Sequence, residues 1–282
     1  MPVLREEIIA AAVEEVGRVV LDALARGEAP TADALRLLLR GYATTGRDDF
    51  RDALEPGLAL ALEISADSSS ADRPGWLILF AEAADASEDA RLVDVATDLA
   101  TKARMTWGGK MPLVQLANSI DAYLRTIALL AREASISDQM QPAIDQLEHI
   151  ASHYEPGQGL SDALGDQMSV AGALLTAFQY TARLPYSMLA EELVQQSRRA
   201  LWDANRPSFE VSCAAASVLC RLAALHQSEE YRAAAVIAPA ADYAADAARI
   251  LEDLAPAVPG RGLAGAAYGL AAGELQSLFP WP

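Results

Sequence analysis

The sequence predicts an all-α protein built as an (α/α)6 toroid, six helical hairpins closed into one ring by pairing of the first and last helices. Three observations predict it. Apolar residues recur at helical spacing, as in Leu35, Leu38, Leu39 and Tyr42, or Leu116, Ile120, Tyr123, Leu124, Ile127 and Leu130. No run alternates β-branched residues between turns, so essentially no sheet is expected. Short turns at Thr45-Gly46, Ala86-Ser87, Ser135 to Ser137, Arg183 to Pro185 and Gln227-Ser228 recur at intervals of roughly 41 to 49 residues, which marks an internal repeat of hairpins.

Breaks in the pattern set the elements in order. A first helix covers about Val3 to Arg26 and ends at Gly27. Pro30 and Thr31 start a second, to Thr44, and Asp48 or Asp49 a third, to about Ile64. After the polar run Asp67 to Asp72, Pro74 fits the first turn of a fourth, where a missing N–H costs little. Ser87 with Asp89 or Ala90 restarts the chain to about Met105, and Gly108-Gly109 is a loop. Pro112 opens a helix to about Ala134, and Ser137 caps one through His153. Glu155-Pro156-Gly157-Gln158-Gly159 is a glycine-rich loop, followed by helices at about 164–181, 186–203, 208–226, 229–254 and 262–278. The count is twelve: five hairpins in the middle and one unpaired helix at each end.

The terminal helices favour a closed ring over an open solenoid, whose two ends need polar caps. The last helix opens Gly262-Leu263-Ala264-Gly265-Ala266-Ala267-Tyr268-Gly269, too small and uncharged for an exposed cap. The first carries Glu6, Glu7, Glu14, Glu15, Arg18 and Asp22 and reads as an outer helix. An outer first helix pairing with an inner last one completes six hairpins in a single domain over residues 1–282.

Composition excludes several partners. Lys plus Arg number 22 against 39 for Asp plus Glu, giving a formal charge of −17 and a pI near 4.5. Nucleic acid and acidic membranes are therefore not expected partners. Apolar residues make up 52% of the 282, enough for a large core, and aromatics only 6%. No uncharged apolar run reaches about 18 residues, and glutamates interrupt Met1 to Arg26, so neither a transmembrane span nor a signal peptide is expected. Cys213 and Cys220 lie seven residues apart in a helical pattern. That is about 10.5 Å of helix rise, beyond the reach of a disulfide. The pair reads as reduced core thiols of a cytoplasmic protein.

Two segments carry a family resemblance. Asp166-Gln167-Met168-Ser169-Val170-Ala171-Gly172-Ala173-Leu174-Leu175, ending in Thr181-Ala182-Arg183 and Tyr186, resembles a hairpin of the six-hairpin glycosidase-like toroids. So does Pro207-Ser208-Phe209-Glu210-Val211-Ser212-Cys213-Ala214-Ala215, followed by Leu219-Cys220-Arg221-Leu222-Ala223 and Glu230-Tyr231-Arg232. The likeness is nearest to the helical C-terminal part of the thioredoxin-domain proteins related to spermatogenesis-associated protein 20. Phe209 and Glu210 stand where that pattern has Gly and Asn, and no Cys-x-x-Cys of a thioredoxin domain occurs.

The resemblance implies a ligand at one mouth of the ring, lined by the loops that lead into the inner helices. Those loops hold Arg73 and Trp76, Trp107, Asp162 with Asp166 and Gln167, Arg206 with Glu210, and Arg261. Carboxylates with aromatic faces suit a sugar-like ligand. Asp162, Asp166 and Glu210 are the candidate catalytic acids, and Arg73, Trp76, Trp107, Gln167, Arg206 and Arg261 the candidate ligand contacts. A glycosidic bond could be cleaved by two carboxylates roughly 5 to 9.5 Å apart. The plainer reading makes Asp162, Asp166 and Ser208 helix caps and the tryptophans packing.

Other constellations carry less chemistry. Asp48-Asp49-Phe50-Arg51-Asp52 has the DDxxD spacing of a magnesium site but falls on a repeat turn, where a capped helix start explains it. His149 and His153 share a helix face with Asp145, a zinc-compatible spacing on what reads as a solvated outer helix. Neither a resident metal nor a cofactor is expected, and no phosphate-binding glycine loop occurs. The leading expectation is a carbohydrate-active or carbohydrate-binding protein. The alternatives are a non-catalytic helical scaffold for a protein or peptide, and a toroid that kept the fold and lost its site.

Overall fold

Alanine and leucine fill the helical runs, and glycine, proline and small polar residues punctuate them. The computed structural model describes residues 2–66, 69, 71–87, 89–108, 110–130, 135–202 and 207–278, the side chains of 2–6, 128, 130, 201 and 202 excepted. The elements are α1 (Pro2–Ala25), α2 (Ala32–Thr45), α3 (Asp48–Ser65), α4 (Arg73–Ser87), α5 (Ala90–Thr106), α6 (Leu113–Arg125) and α7 (Ile127–Leu130). They continue as α8 (Ile136–Ala151), α9 (Leu164–Thr181), α10 (Leu184–Trp202), α11 (Phe209–Gln227), α12 (Glu229–Ala234), α13 (Tyr243–Leu254) and α14 (Ala266–Leu278). Two 3-10 turns, Ala255–Gly260 and Gly262–Gly265, precede α14. Among the described residues there is no strand, only a single bridge between Glu155 and Gly159.

Caps explain several starts. Thr31 Oγ1 accepts from Ala34 N at 3.2 Å, Asp89 Oδ1 from Arg91 N at 2.9 Å, Ser208 Oγ from Val211 N at 3.3 Å and Asp242 Oδ1 from Ala245 N at 2.9 Å. Each satisfies one of the N–H groups a helix leaves open at its first turn.

Two expected helices are interrupted, for local reasons. The run 112–134 breaks at Thr126, whose Oγ1 donates back to Tyr123 O at 2.9 Å. Residues 131–134 of that run lie outside the described residues. The run 229–254 breaks between α12 and α13 around Pro239, which lacks the N–H a helix interior needs. The freed backbone is caught by a fully buried carboxylate: Glu191 accepts from Ile237 N at 3.0 Å and from Ala238 N at 3.1 Å.

Contacts sort the chain into two compact units. The first comprises residues 1–66, 208–232 and 240–282. In it α2 pairs with α3, α11 with α13, and α14 with α1. The first and last helices thus pair, as the ring closure requires. Close approach here depends on missing side chains. A Cβ on Gly269 would lie 2.7 Å from Leu37 Cδ1, and one on Gly41 2.5 Å from the Phe50 ring. By length and apolarity α11 would suffice to cross a membrane, but Phe209, Cys213, Leu219 and Leu222 pack into this unit's core and it carries Glu210 and Arg221.

The second unit comprises residues 67–207 and 233–239. Helix α4 pairs with α5, α6 with α8, and α9 with α10, while α4, α6 and α9 pack side by side as an inner row. Asp166 in the first turn of α9 meets Val114 in the first turn of α6, and Thr176 meets Asp121 further along. The two inner helices therefore run parallel. Helix α9 is buried continuously from Val170 to Ala177, and Asp166 is its one charged residue.

Cys213 and Cys220 are both unbonded and buried, and burial pushes the Cys213 thiol up to about 12 and raises Cys220 as well. The thiolate is the reactive form. At pH 8 the folded protein should leave Ellman's reagent unreacted over minutes, and guanidinium should release two thiols. Fast release of either thiol before unfolding would contradict the buried placement.

Candidate functional site

Three inner helices of the second unit begin on one side, and the residues leading into them are among the expected ligand contacts. Helix α6 starts at Pro112, which offers no side-chain cap, and α9 starts at Ala163, which offers none either. Asp166 supplies what α6 lacks. Its Oδ1 accepts from Val114 N at 3.1 Å and its Oδ2 from Ser161 Oγ at 2.8 Å. Asp166 does not cap its own helix, as the plainer reading expected; it lies in the first turn of α9 and accepts from the first turn of α6, about 50 residues earlier in the chain. With both oxygens engaged, the carboxylate is a frame element.

The neighbouring residues divide between packing and surface. Asp162 is exposed. Gln167 is buried, and its Nε2 donates to Ser161 O at 3.0 Å. Trp107 donates its indole N–H to Ser119 Oγ at 2.9 Å and sets its ring at an edge to Tyr123, centroids 5.2 Å apart. Trp76 is buried and stacks on Phe80 at 6.2 Å. Arg73 is half-buried at the first position of α4, and Arg206 lies outside the described residues.

Glu210 and Arg261 belong to the first unit. Glu210 is exposed in the first turn of α11. Arg261 lies over the Phe209 ring at 4.6 Å, a cation–π contact. Burial is the main cause of the raised Cys213 thiol, with Glu210 and Asp33 raising it further and Arg261 opposing. These groups share one neighbourhood at the N-terminal ends of α2 and α11.

Among the described residues, none of the candidate catalytic acids or ligand contacts lines either of two cavities the structure holds. The first, about 400 Å³, lies in the second unit, at the opposite ends of the inner row. Ile78, Ala81, Glu82 and Asp85 of α4 face Arg125, Thr126 and Leu129 across it. Arg125 Nε donates to Asp121 Oδ2 at 2.7 Å, and the other oxygen of Asp121 accepts from Thr176 Oγ1. Tyr180, 39% exposed, stands beside this pair: burial raises its phenol, Arg125 lowers it and Asp121 raises it. A sequence signal for this cavity does exist. Glu82 and Asp85 are the sole charges on α4 after Arg73, and they fall on one face of an otherwise apolar inner helix.

The second cavity, about 520 Å³, lies in the first unit between α1 and α3. Asp49 and Asp52 of the DDxxD run line it with Asp22, Glu28 and Leu60. Asp49 is paired with Arg47 and Asp52 with Arg51, and these aspartates serve the start of an outer helix. Hydrogen bonding to Arg47 holds the Asp49 carboxyl below its usual range. The His149 and His153 rings meet edge to face at 4.8 Å, and His153 Nδ1 lies 2.9 Å from His149 O. Among the described residues, no three His, Cys, Asp or Glu side chains converge as metal ligands.

Hairpin pairing, a parallel inner row and closure of the first helix on the last define the class: an all-α (α/α)6 toroid. A solved structure of that fold superposes on the chain with a TM-score of 0.63, covering 97% of this chain and 99% of the other at 12% identity. It is the GH76A alpha-1,6-mannanase from Salegentibacter sp. HEL1_6. No sequence-family pattern and no curated protein matches the chain.

Asp166→Ala should lower the unfolding free energy by about 1–2 kcal/mol, the range for a lost helix cap, read as a lower urea midpoint with helicity retained. An unchanged midpoint would show that the bond to Val114 is not made in solution.

Proposed function

We propose that the protein binds carbohydrate through the cavity at the ends of α4, α6 and α7. The observation that carries this reading is the lining of that cavity. Two carboxylates, Glu82 and Asp85, face a guanidinium, Arg125, beside the apolar wall of Ile78, Ala81 and Leu129. Sugars need this mixture, since their hydroxyl edges take acceptors and donors and their C–H faces take apolar surface. Tyr180, half-exposed beside Arg125 and Asp121, offers an aromatic ring to a ligand that reaches past Arg125. The fold shared with a mannanase supports the ligand class and makes α-1,6-linked mannosides the first to try. The resemblance to the thioredoxin-domain proteins rests on the sequence segments Asp166 to Leu175 and Pro207 to Ala215 alone.

Glu82 and Asp85 are also the pair to examine for glycosidic cleavage. Three residues apart on one helix, their Cβ atoms stand about 5–6 Å apart. Hydrolysis needs one carboxyl to protonate the leaving oxygen and a second to act as nucleophile or base. In this reading Asp166 holds the frame and plays neither part.

Calorimetry with α-1,6-linked mannobiose and a panel of other disaccharides tests the proposal. Glu82→Gln and Tyr180→Ala should each weaken binding about tenfold, about 1.4 kcal/mol, and Asp162→Asn should leave it unchanged. Reducing-sugar release from α-1,6-mannan, abolished by Glu82→Gln, would extend binding to catalysis. Failure of every sugar to bind, or wild-type affinity in Glu82→Gln, would overturn the reading.

A further inference from the structure

Beneath the turn Glu155 to Gly159 two amide side chains meet. Gln167 is 7% exposed, and its Oε1 has no hydrogen-bond partner. Gln196 Oε1 is also inaccessible and has no partner. Both amides are held in fixed orientation. Gln167 Nε2 donates to Ser161 O at 3.0 Å, and Gln196 Nε2 donates to Tyr154 Oη at 2.9 Å. Tyr154 Oη is the acceptor in that bond. Neither amide can rotate to turn its oxygen toward a donor without losing its existing bond.

Both oxygens therefore face the same spot, and Gly159 occupies it. A Cβ on Gly159 would lie 2.5 Å from Gln167 Nε2, 2.6 Å from Gln167 Oε1 and 2.7 Å from Gln196 Oε1, so the Gln167 amide meets the spot edge-on and both open oxygens border it. The turn above is closed by Glu155 N to Gly159 O at 3.1 Å and Gly159 N to Glu155 O at 2.8 Å, with Gly157 and Gly159 both at positive φ, 82° and 79°. Residues 155–158 are exposed and Gly159 is buried, so the turn sits on the amides like a cap. A buried acceptor without a donor costs about 1–3 kcal/mol. An apolar pair would fill the same space without that cost.

We propose that Gln167 and Gln196 form a hydroxyl-binding subsite capped by the Glu155–Gly159 turn, which lifts to admit two hydroxyl donors of a sugar. Neutral amide acceptors, with the neighbouring carboxylate of Glu192 already engaged by Tyr154, suit hydroxyl groups better than a cation. The acceptor pair stands on its own geometry; the choice of a sugar rests on the carbohydrate reading above. The subsite is separate from the cavity: Gln167 follows Asp166 at the start of α9, which meets the start of α6, whereas Arg125 and Leu129 of the cavity lie at and beyond the far end of α6.

The test is amide hydrogen exchange by NMR on the full chain, with and without saturating α-1,6-linked mannobiose. In wild type and in Glu82→Gln, sugar should speed exchange of the Glu155 and Gly159 amides at least threefold, because the two bonds that close the turn open. Gln196→Leu should melt within about 2 °C of wild type or higher, since an apolar replacement of an unanswered acceptor is near neutral, and should lose the exchange response. Gly159→Ala should exchange fast without sugar and bind it more tightly, its Cβ holding the turn open. Sugar binding seen by calorimetry with no response at the two amides, or a wild-type response in Gln196→Leu, overturns the subsite and leaves the carbohydrate reading intact. A response that persists while Glu82→Gln binds with wild-type affinity supports the subsite and overturns the cavity. Absence of any sugar binding overturns both.

Discussion

A helix enclosed for two full turns can carry polar atoms only where a neighbour answers them, and α9 lives under that constraint. Its run from Val170 to Ala177 is buried, so a polar group there needs a partner from another element or from its own backbone. Asp166 is answered by Val114 and Ser161, and Thr176 by Asp121, which in turn holds Arg125. These bonds set the register of α9 against α6. A slip of one residue along α9 would leave an acidic group and a hydroxyl facing apolar side chains at once. Gln167 is the exception, answered on its nitrogen and left open on its oxygen. Beside matched neighbours such as Asp166 and Thr176, an open buried acceptor marks a place where packing is not the whole purpose.

The same constraint separates frame from chemistry. Carboxylates with both oxygens engaged, such as Asp166, or fully buried against backbone N–H groups, such as Glu191, are fixed parts of the scaffold. Glu191 shows how much a single side chain can hold, since it captures the stretch of chain that Pro239 prevents from continuing as helix. Glu82 and Asp85 stand elsewhere: they line a cavity at the end of an inner helix, within reach of a ligand that enters it. Their position on α4 follows from the parallel inner row, which gathers like ends of neighbouring helices in one place.

Much of the fold was legible because its requirements are local and periodic. Apolar spacing, the turns near Gly46, Ser87, Ser135, Arg183 and Ser228, and the small last helix depend only on nearby residues, and all three led to the hairpin pairing observed. The breaks at Thr126 and around Pro239 were hidden for different reasons. Thr126 is a permitted helix residue whose hydroxyl bonds backward, while Pro239 lies in an alanine-rich run whose period outweighs it. At the site, residue type was legible and partner was not. Asp166 is an acid at a helix start, which propensity explains, but the N–H it meets lies on another helix. Trp76 and Trp107 were legible as aromatics near inner-helix starts, and only their neighbours, Phe80, Ser119 and Tyr123, show that they pack inward. The cavity escapes a reading of the loops because its charges, Glu82 and Asp85, stand late in an inner helix.

The distance in sequence from a mannanase of the same fold follows from what the fold demands. Close inner helices need small residues where backbones approach, apolar ones between, and an answer for each buried polar atom. Gly269 under Leu37 and Gly41 under Phe50 meet the first requirement, and many other pairings of small and large would meet it equally well. Such rules fix a pattern and leave identities free, so two chains can keep the ring while sharing few residues. Chemistry is bound more tightly to identity, because a carboxylate or an amide acts only from its own position. The residues that decide whether this toroid handles sugar are therefore a few polar groups, Glu82 and Asp85 lining the cavity at one end of the inner row and the open oxygens of Gln167 and Gln196 at the other.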